Sequence, residues 1–306
     1  MKTYIWKNLS AAERKTALAR PRFKDDEKVA ANVRAIVEAV KTRGDEALRE
    51  FADTFDGGAP ATWRVDDKAV KAASISAELR SAIQTAKANI ETFHKAEMPK
   101  PVKIDTMPGV TCELQWRALE TVGIYIPGGT APLFSTVLML AVPTKIAGCA
   151  RIVLCTPPKN GAIHPAVLAA AEMCGITEIY AVGGAQAIAA MAYGTTSIPK
   201  CDKIFGPGNA YVTMAKQFVA QDADGAAIDM PAGPSEVMVV ADGTSNASWV
   251  AADLLAQAEH DTLAQAILVT ADADFAAKVE AEVKRQLALL PRREIATQSI
   301  AESRII

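Results

Sequence analysis

From residue 122 onward the chain alternates short β-rich runs with helical stretches, and this alternation limits the fold more than any other feature. The order is VGIYI, a helix over about 134–148, RIVLC, a helix over 164–174, EIYAV and the helical GGAQAIAAMA. It continues through DKIF, a helix after Asn209, AIDM, EVMVVA, a helix through Gln257, and AILVT. Strands separated by helices of this length imply βαβ units on mainly parallel sheets. Two successive sets of such units predict an α/β fold of two Rossmann-like lobes, with a boundary near Pro231–Pro234. The 306 residues suffice for two such bodies.

The first hundred residues read as an α-helical region. Val29, Val33, Ile36, Val37 and Val40 fall at helical spacing, and Leu48, Phe51 and Phe55 resume it after the break at Gly44. A longer amphipathic helix places Leu79, Ile83, Ala86, Ile90 and Phe93 on one face, and Pro99 and Pro101 end it. Cys112, Leu114, Trp116 and Ala118 then alternate with polar neighbours, predicting a half-buried strand. At the far end a charged helix reaches about Leu290, and Arg304-Ile305-Ile306 reads as the opening of a strand, the alternative being a short edge strand or disorder.

Glycine-bearing turns mark the places where strands hand over to helices: Pro127-Gly128-Gly129, Gly183-Gly184, Gly206-Pro207-Gly208 and Pro231-Ala232-Gly233-Pro234. Ligands of parallel α/β sheets lie at the carboxyl ends of strands, where helix N-termini offer N–H groups to anions. GPGNAY lacks the third glycine of the dinucleotide fingerprint, so these turns point only to a nucleotide or small anionic ligand. In the helix Trp249–His260, Asp253, Gln257 and His260 form a polar stripe at i, i+4 and i+7. Gln257 and His260 are a carboxamide and an imidazole that can aim at one cation, or a solvated side chain and a helix cap. Two ligands alone do not close a zinc site. His94 is expected to be exposed, and His164, before Pro165, to serve a helix start. With three histidines in all, general bases are few. No GxSxG, HExxH or Walker A sequence occurs.

The formal charge of −2 offers no field for nucleic acid or anionic lipid. The five cysteines are scattered without CxxC spacing, as reduced thiols of a cytoplasmic protein would be. MKTYIWKNLSAAERK has no apolar signal region, and no run approaches the roughly 18 apolar residues of a membrane span. A soluble, cytoplasmic protein is expected.

Taken together, VGIYIPGGTAPLFSTVLMLAVPTKIAGC, VGGAQAIAAMAYGT, DKIFGPGNAYVTMAK, IDMPAGPSEVMVVAD and DLLAQAEH resemble the histidinol dehydrogenase family, and the early KTRGDEALREFADTFDG extends the likeness. The resemblance implies a zinc enzyme that oxidises L-histidinol to L-histidine, through the aldehyde, in two NAD-dependent steps. Matched residue by residue, Tyr125, Gln186 and Asn209 take the places of NAD contacts, and Ser235 that of a substrate contact. Gln257 and His260 match two zinc ligands that also touch substrate. It implies three parts: an N-terminal extension (1–25), a first Rossmann-like lobe (26–120 with 235–306, incomplete at its C-terminal side), and an NAD-binding second lobe (121–234). In the family's order the catalytic Glu-His pair, the other two zinc ligands and the arm exchanged between subunits of a homodimer all fall after Ile306. The resemblance therefore assigns no catalytic residue within these 306 and only part of the Zn2+ site. The alternative is a non-catalytic member that keeps an NAD or small-ligand cleft.

Overall fold

The structure is a computed structural model that describes residues 1–19, 26–128, 133–231 and 235–306. The turns at Gly129 and at 232–234 lie outside the described residues. The chain divides into two compact units, residues 26–231 and residues 1–25 with 232–306. Its architecture is mixed α/β with mainly parallel sheets.

The chain opens with β1 (Lys2–Thr3), a 3-10 turn at Trp6–Asn8 and α1 (Ala11–Ala17). A capping box starts α1: the Ser10 hydroxyl accepts from Glu13 N–H while the Glu13 carboxylate accepts from Ser10 N–H. In the 26–231 unit, α2 (Asp26–Arg43), α3 (Asp45–Phe55), α4 (Asp67–Lys71) and α5 (Ala77–Ala96) come first. The antiparallel hairpin β2 (Val102–Met107) and β3 (Val110–Leu114) follows. Then come β4 (Thr121–Tyr125), α6 (Phe134–Ile146), β5 (Arg151–Thr156), α7 (Pro165–Met173), β6 (Glu178–Ala181) and α8 (Gly184–Tyr193), and last β7 (Lys203–Phe205), α9 (Ala210–Gln221) and β8 (Ala227–Ile228).

Five of these strands form one parallel sheet in the order β6-β5-β4-β7-β8. Strand β4 is buried along its whole length, and its residues serve two cores by alternation. Val122, Ile124 and Ile126 face the core made with α5, α6 and α7. Tyr125 faces the other, which α2, α3, α8 and α9 complete through Val33, Ile36, Leu48, Ile188 and Val212. The chain steps outward from β4 to β5 and β6, then returns to the opposite side of β4 with β7. That reversal is a topological switch point, where a crevice opens beyond the strands' carboxyl ends.

The second unit carries β9 (Glu236–Val240), α10 (Ala247–Ala258), β10 (Gln265–Val269), α11 (Ala273–Leu287), α12 (Arg293–Glu302) and β11 (Arg304–Ile305). Its parallel sheet has the order β1-β11-β10-β9. Val250, Leu254, Leu268, Phe275, Val279 and Ile300 form its core.

Four expectations need correction. The helices of 26–96 pack on the 121–231 sheet rather than joining 235–306, because Val33, Ile36, Leu48 and Ile83 bury their apolar stripes against that sheet's helices and strands. Residues 1–25 are not a separate extension, since β1 pairs with β11 and Met1 packs on the second unit's core. Arg304-Ile305 forms an interior strand between β10 and β1 rather than an edge. The alternating segment at Cys112 is a fully exposed hairpin strand that stops at Leu114, not a half-buried one reaching Ala118. A further helix, α12, stands between the charged helix and the last strand, where the sequence reading assigned no element.

Candidate dinucleotide cleft and substrate helix

Within the 26–231 unit a cleft of about 870 Å³ opens at the switch point. Its walls come from the loops after β4, β5, β6 and β7, and Tyr125, Gln186 and Asn209 all line it together. Three residues separated by 61 and 23 positions in sequence thus share one cavity because successive βα loops emerge on the same side of a parallel sheet.

Each of the three is held by its local structure. Tyr125 ends β4, is 3% exposed, and its hydroxyl accepts the Gly184 N–H at 3.0 Å. Burial pushes its phenol up to about 12, the Gly184 bond offsetting part of the effect, so it stays protonated at neutral pH. Gln186 sits in the first turn of α8, buried at 3%, and hydrogen-bonds the Asp56 carboxylate. Asn209 is the N-cap of α9: its Oδ1 accepts the Val212 N–H at 3.1 Å, leaving the amide nitrogen to donate elsewhere. Two helix N-termini, those of α8 and α9, therefore border the cleft, the arrangement that favours a phosphate.

The cleft contains residues for which sequence reading had no role. Asp56, just past α3, lines it with Asn32, Phe55 and Lys159. Burial raises the Asp56 carboxyl above its ordinary value, while the bond from Gln186 pulls it back. Beneath the β7–α9 turn, Lys216 is 1% exposed and ion-paired with Asp229; its Nζ also donates to the Gly206 carbonyl at 2.8 Å. Asp229 in turn accepts the Gly206 N–H at 3.0 Å and the Met230 N–H at 2.7 Å. The turn carrying Asn209 is thus fastened from below by a buried ion pair. A lysine among the apolar positions Val212, Ala215 and Val219 of one helix face was the available signal.

Ser235, Gln257 and His260 belong to the other unit. Ser235 precedes β9, is exposed, and its carbonyl accepts the Gln265 N–H at 3.3 Å. Gln257 is half-buried in the last turn of α10 and lines a shallow groove of about 580 Å³ with Asp253, Ala256 and residues 237–240 of β9. The helix ends at Ala258, so the exposed His260 lies past its end rather than within it. A turn holds it there: His260 N–H donates to the Gln257 carbonyl at 3.2 Å, and Arg292 Nη2 donates to the His260 carbonyl at 3.4 Å. Among the described residues no group of three or more His, Cys, Asp or Glu side chains could hold a metal. Gln257 and His260 are two donors of a kind zinc accepts, and they do not make a closed site. The remaining histidines have local partners: His94 lies 2.7 Å from Glu97 and is one-third exposed, and His164 caps α7 by accepting the Ala166 N–H.

The sequence profile described as histidinol dehydrogenase matches residues 19–306. The chain belongs to the histidinol dehydrogenase family. It is 52% identical over 303 residues to a histidinol dehydrogenase of Escherichia coli O6:H1, covering 98% of this chain and 69% of that protein. A histidinol dehydrogenase of Vibrio parahaemolyticus is 51% identical over 308 residues, covering all of this chain and 71% of its own length. The crystal structure of histidinol dehydrogenase from Elizabethkingia anophelis matches with a TM-score of 0.92 at 48% identity, over 100% of this chain and 70% of that one. The family is one of dehydrogenases acting in histidine biosynthesis, and the main reading of the sequence stands. Among the described residues no helix is long and apolar enough to cross a membrane.

Proposed function

We propose that the 26–231 unit binds NAD in the cleft of Tyr125, Gln186 and Asn209, and that the chain takes part in the two-step oxidation of L-histidinol to L-histidine. One observation carries this reading: three residues matched separately to NAD contacts converge on one cavity at the switch point of a doubly wound sheet. Bound NAD supplies the hydride acceptor. The N-termini of α8 and α9 offer N–H dipoles to its pyrophosphate, and the protonated Tyr125 hydroxyl anchors the first turn of α8 beside it. Gln186, already engaged with Asp56, and the donor side of the Asn209 amide orient the rest of the ligand. Ser235, Gln257 and His260 are proposed as substrate contacts on the other unit, in a cytoplasmic enzyme that works as a homodimer.

Titration calorimetry with NAD tests the cleft. Asn209→Ala is expected to weaken NAD about 10-fold, by removing one ligand hydrogen bond and one helix cap. No heat with wild-type protein at millimolar NAD would sink the reading.

Gln257 and His260 are also proposed as two of the Zn2+ ligands, and replacing both by alanine is expected to weaken zinc binding at least about 10-fold in competition with a fluorescent chelator. Unchanged zinc affinity in that double variant would remove the pair from the metal site.

A further inference from the structure

Asp56 stands in the dinucleotide cleft without the counter-charge that a half-buried carboxylate ordinarily finds. It is the C-cap of α3, fixed by its own N–H, which donates to the Ala52 carbonyl at 2.9 Å. Its side chain lines the cleft with Asn32, Phe55 and Gln186. The Gln186 amide donates to it, and among the described residues no cation pairs with it. A carboxylate accepts about four hydrogen bonds, so most of its capacity is left for whatever fills the cleft. Next to it in sequence, Phe55 stacks on Phe51 with ring centroids 6.0 Å apart, yet is 59% exposed; Tyr211, 38% exposed, lines the same cleft. Aromatic surface beside an unpaired carboxylate is the chemistry that receives a nucleoside: the base lies on a ring, and the ribose diol gives its O–H donors to the carboxylate oxygens.

We propose that the Asp56 carboxylate accepts the hydroxyls of the adenosine ribose and so makes the cleft select NAD over its 2′-phosphorylated form, NADP. This rests on the reading of the cleft as an NAD site and assigns its specificity to one residue. The pyrophosphate belongs at the N-termini of α8 and α9, and Gln186, in the first turn of α8, is the amide engaged with Asp56. The carboxylate is therefore within reach of the ribose that adjoins the phosphates. A 2′-phosphate would put negative charge where the diol's donor belongs, against a carboxylate partly shielded from water, and like charges there repel strongly. Lys159 is the one cation among the described residues that line the cleft, and it is exposed, so solvent screens it from softening this repulsion. In the common dinucleotide fold the ribose acid follows the glycine turn by about 20 residues. Here it comes from the end of a helix 69 residues before Tyr125.

Titration calorimetry of the 306-residue chain with NAD, NADP and NAD lacking the adenosine 2′-hydroxyl tests the contact. The wild type is expected to prefer NAD to NADP by about 100-fold. Asp56→Asn should weaken NAD about 10-fold and narrow the preference to less than about 10-fold, since it removes both a charge-assisted acceptor and the repulsion. The 2′-deoxy analogue should bind the wild type about 10-fold more weakly than NAD, and Asp56→Asn no more weakly than NAD. Lys159→Met should shift NAD and NADP alike. Each preference is a ratio within one variant, so a loss of folded protein cancels from it. An Asp56→Asn protein that keeps the full preference, or the full penalty for the missing hydroxyl, would overturn the contact. A change of preference in Lys159→Met as large as in Asp56→Asn would trace the selection to the net charge of the cleft and overturn it too. Absence of any heat from NAD with the wild type would instead remove the dinucleotide site itself.

Discussion

Lys216→Met is expected to destabilise the 26–231 unit by about 3 kcal/mol, lowering its thermal midpoint by roughly 6–12 °C. The ammonium is 1% exposed and its partner Asp229 is 24% exposed. Removing the cation leaves a mostly desolvated carboxylate without its counter-charge and the Gly206 carbonyl without that donor. Breaking a buried pair typically costs about 3–5 kcal/mol, and partial hydration of Asp229 argues for the lower figure. Adding Asp229→Asn should recover part of the loss, because a neutral amide needs no counter-charge, though one oxygen cannot replace both acceptors of Gly206 and Met230 N–H. Urea denaturation of the wild type, both single variants and the double variant reads this directly. A Lys216→Met protein within about 0.5 kcal/mol of wild type would show that the pair contributes nothing net to the folded state.

Gly206→Ala is expected to destabilise the same unit by about 2–6 kcal/mol and to reduce NAD affinity at the same time. Gly206 has φ +130°, a conformation that L side chains rarely adopt. A Cβ there would overlap the Tyr125 carbonyl oxygen, which is main chain of the central strand and cannot swing aside. Relief requires β7 to withdraw from β4 at the Ile124–Phe205 pair, next to the tyrosine whose hydroxyl holds Gly184. Gly58→Ala separates the two causes, since Gly58 has the same φ of +130° but nothing within 4 Å of the added carbon. It should lose only the backbone strain of about 1–3 kcal/mol and keep NAD affinity. Equal losses in the two variants would refute the steric account.

How the site is assembled explains which parts could be read in advance. Tyr125, Gln186 and Asn209 each sit at a strand's end or a helix's start, positions that β-rich runs and glycine turns mark locally. Asp56 carries no such mark. It follows a helix 69 residues before Tyr125, and its role depends on α2 and α3 packing on the same face of the sheet as α8. Lys216 stands out in sequence only as a lysine among the apolar positions of α9, and its partner Asp229 is found only once the fold places it opposite. His260 was read as part of the helix because its spacing from Gln257 continues the helical period, yet the chain turns after Ala258.

The sequence by itself determined the strand and helix order, the parallel character of both sheets and the family, because these follow from hydrophobic period and from long matched segments. Only the tertiary structure decided which body the N-terminal helices join, that β11 is interior, and that the β2–β3 ribbon shows water an apolar face. The physical reason is common to all three: an apolar stripe states that it must be covered, but not by what. The covering partner is chosen among surfaces far away in sequence, and only the packed chain reveals which one lies close enough.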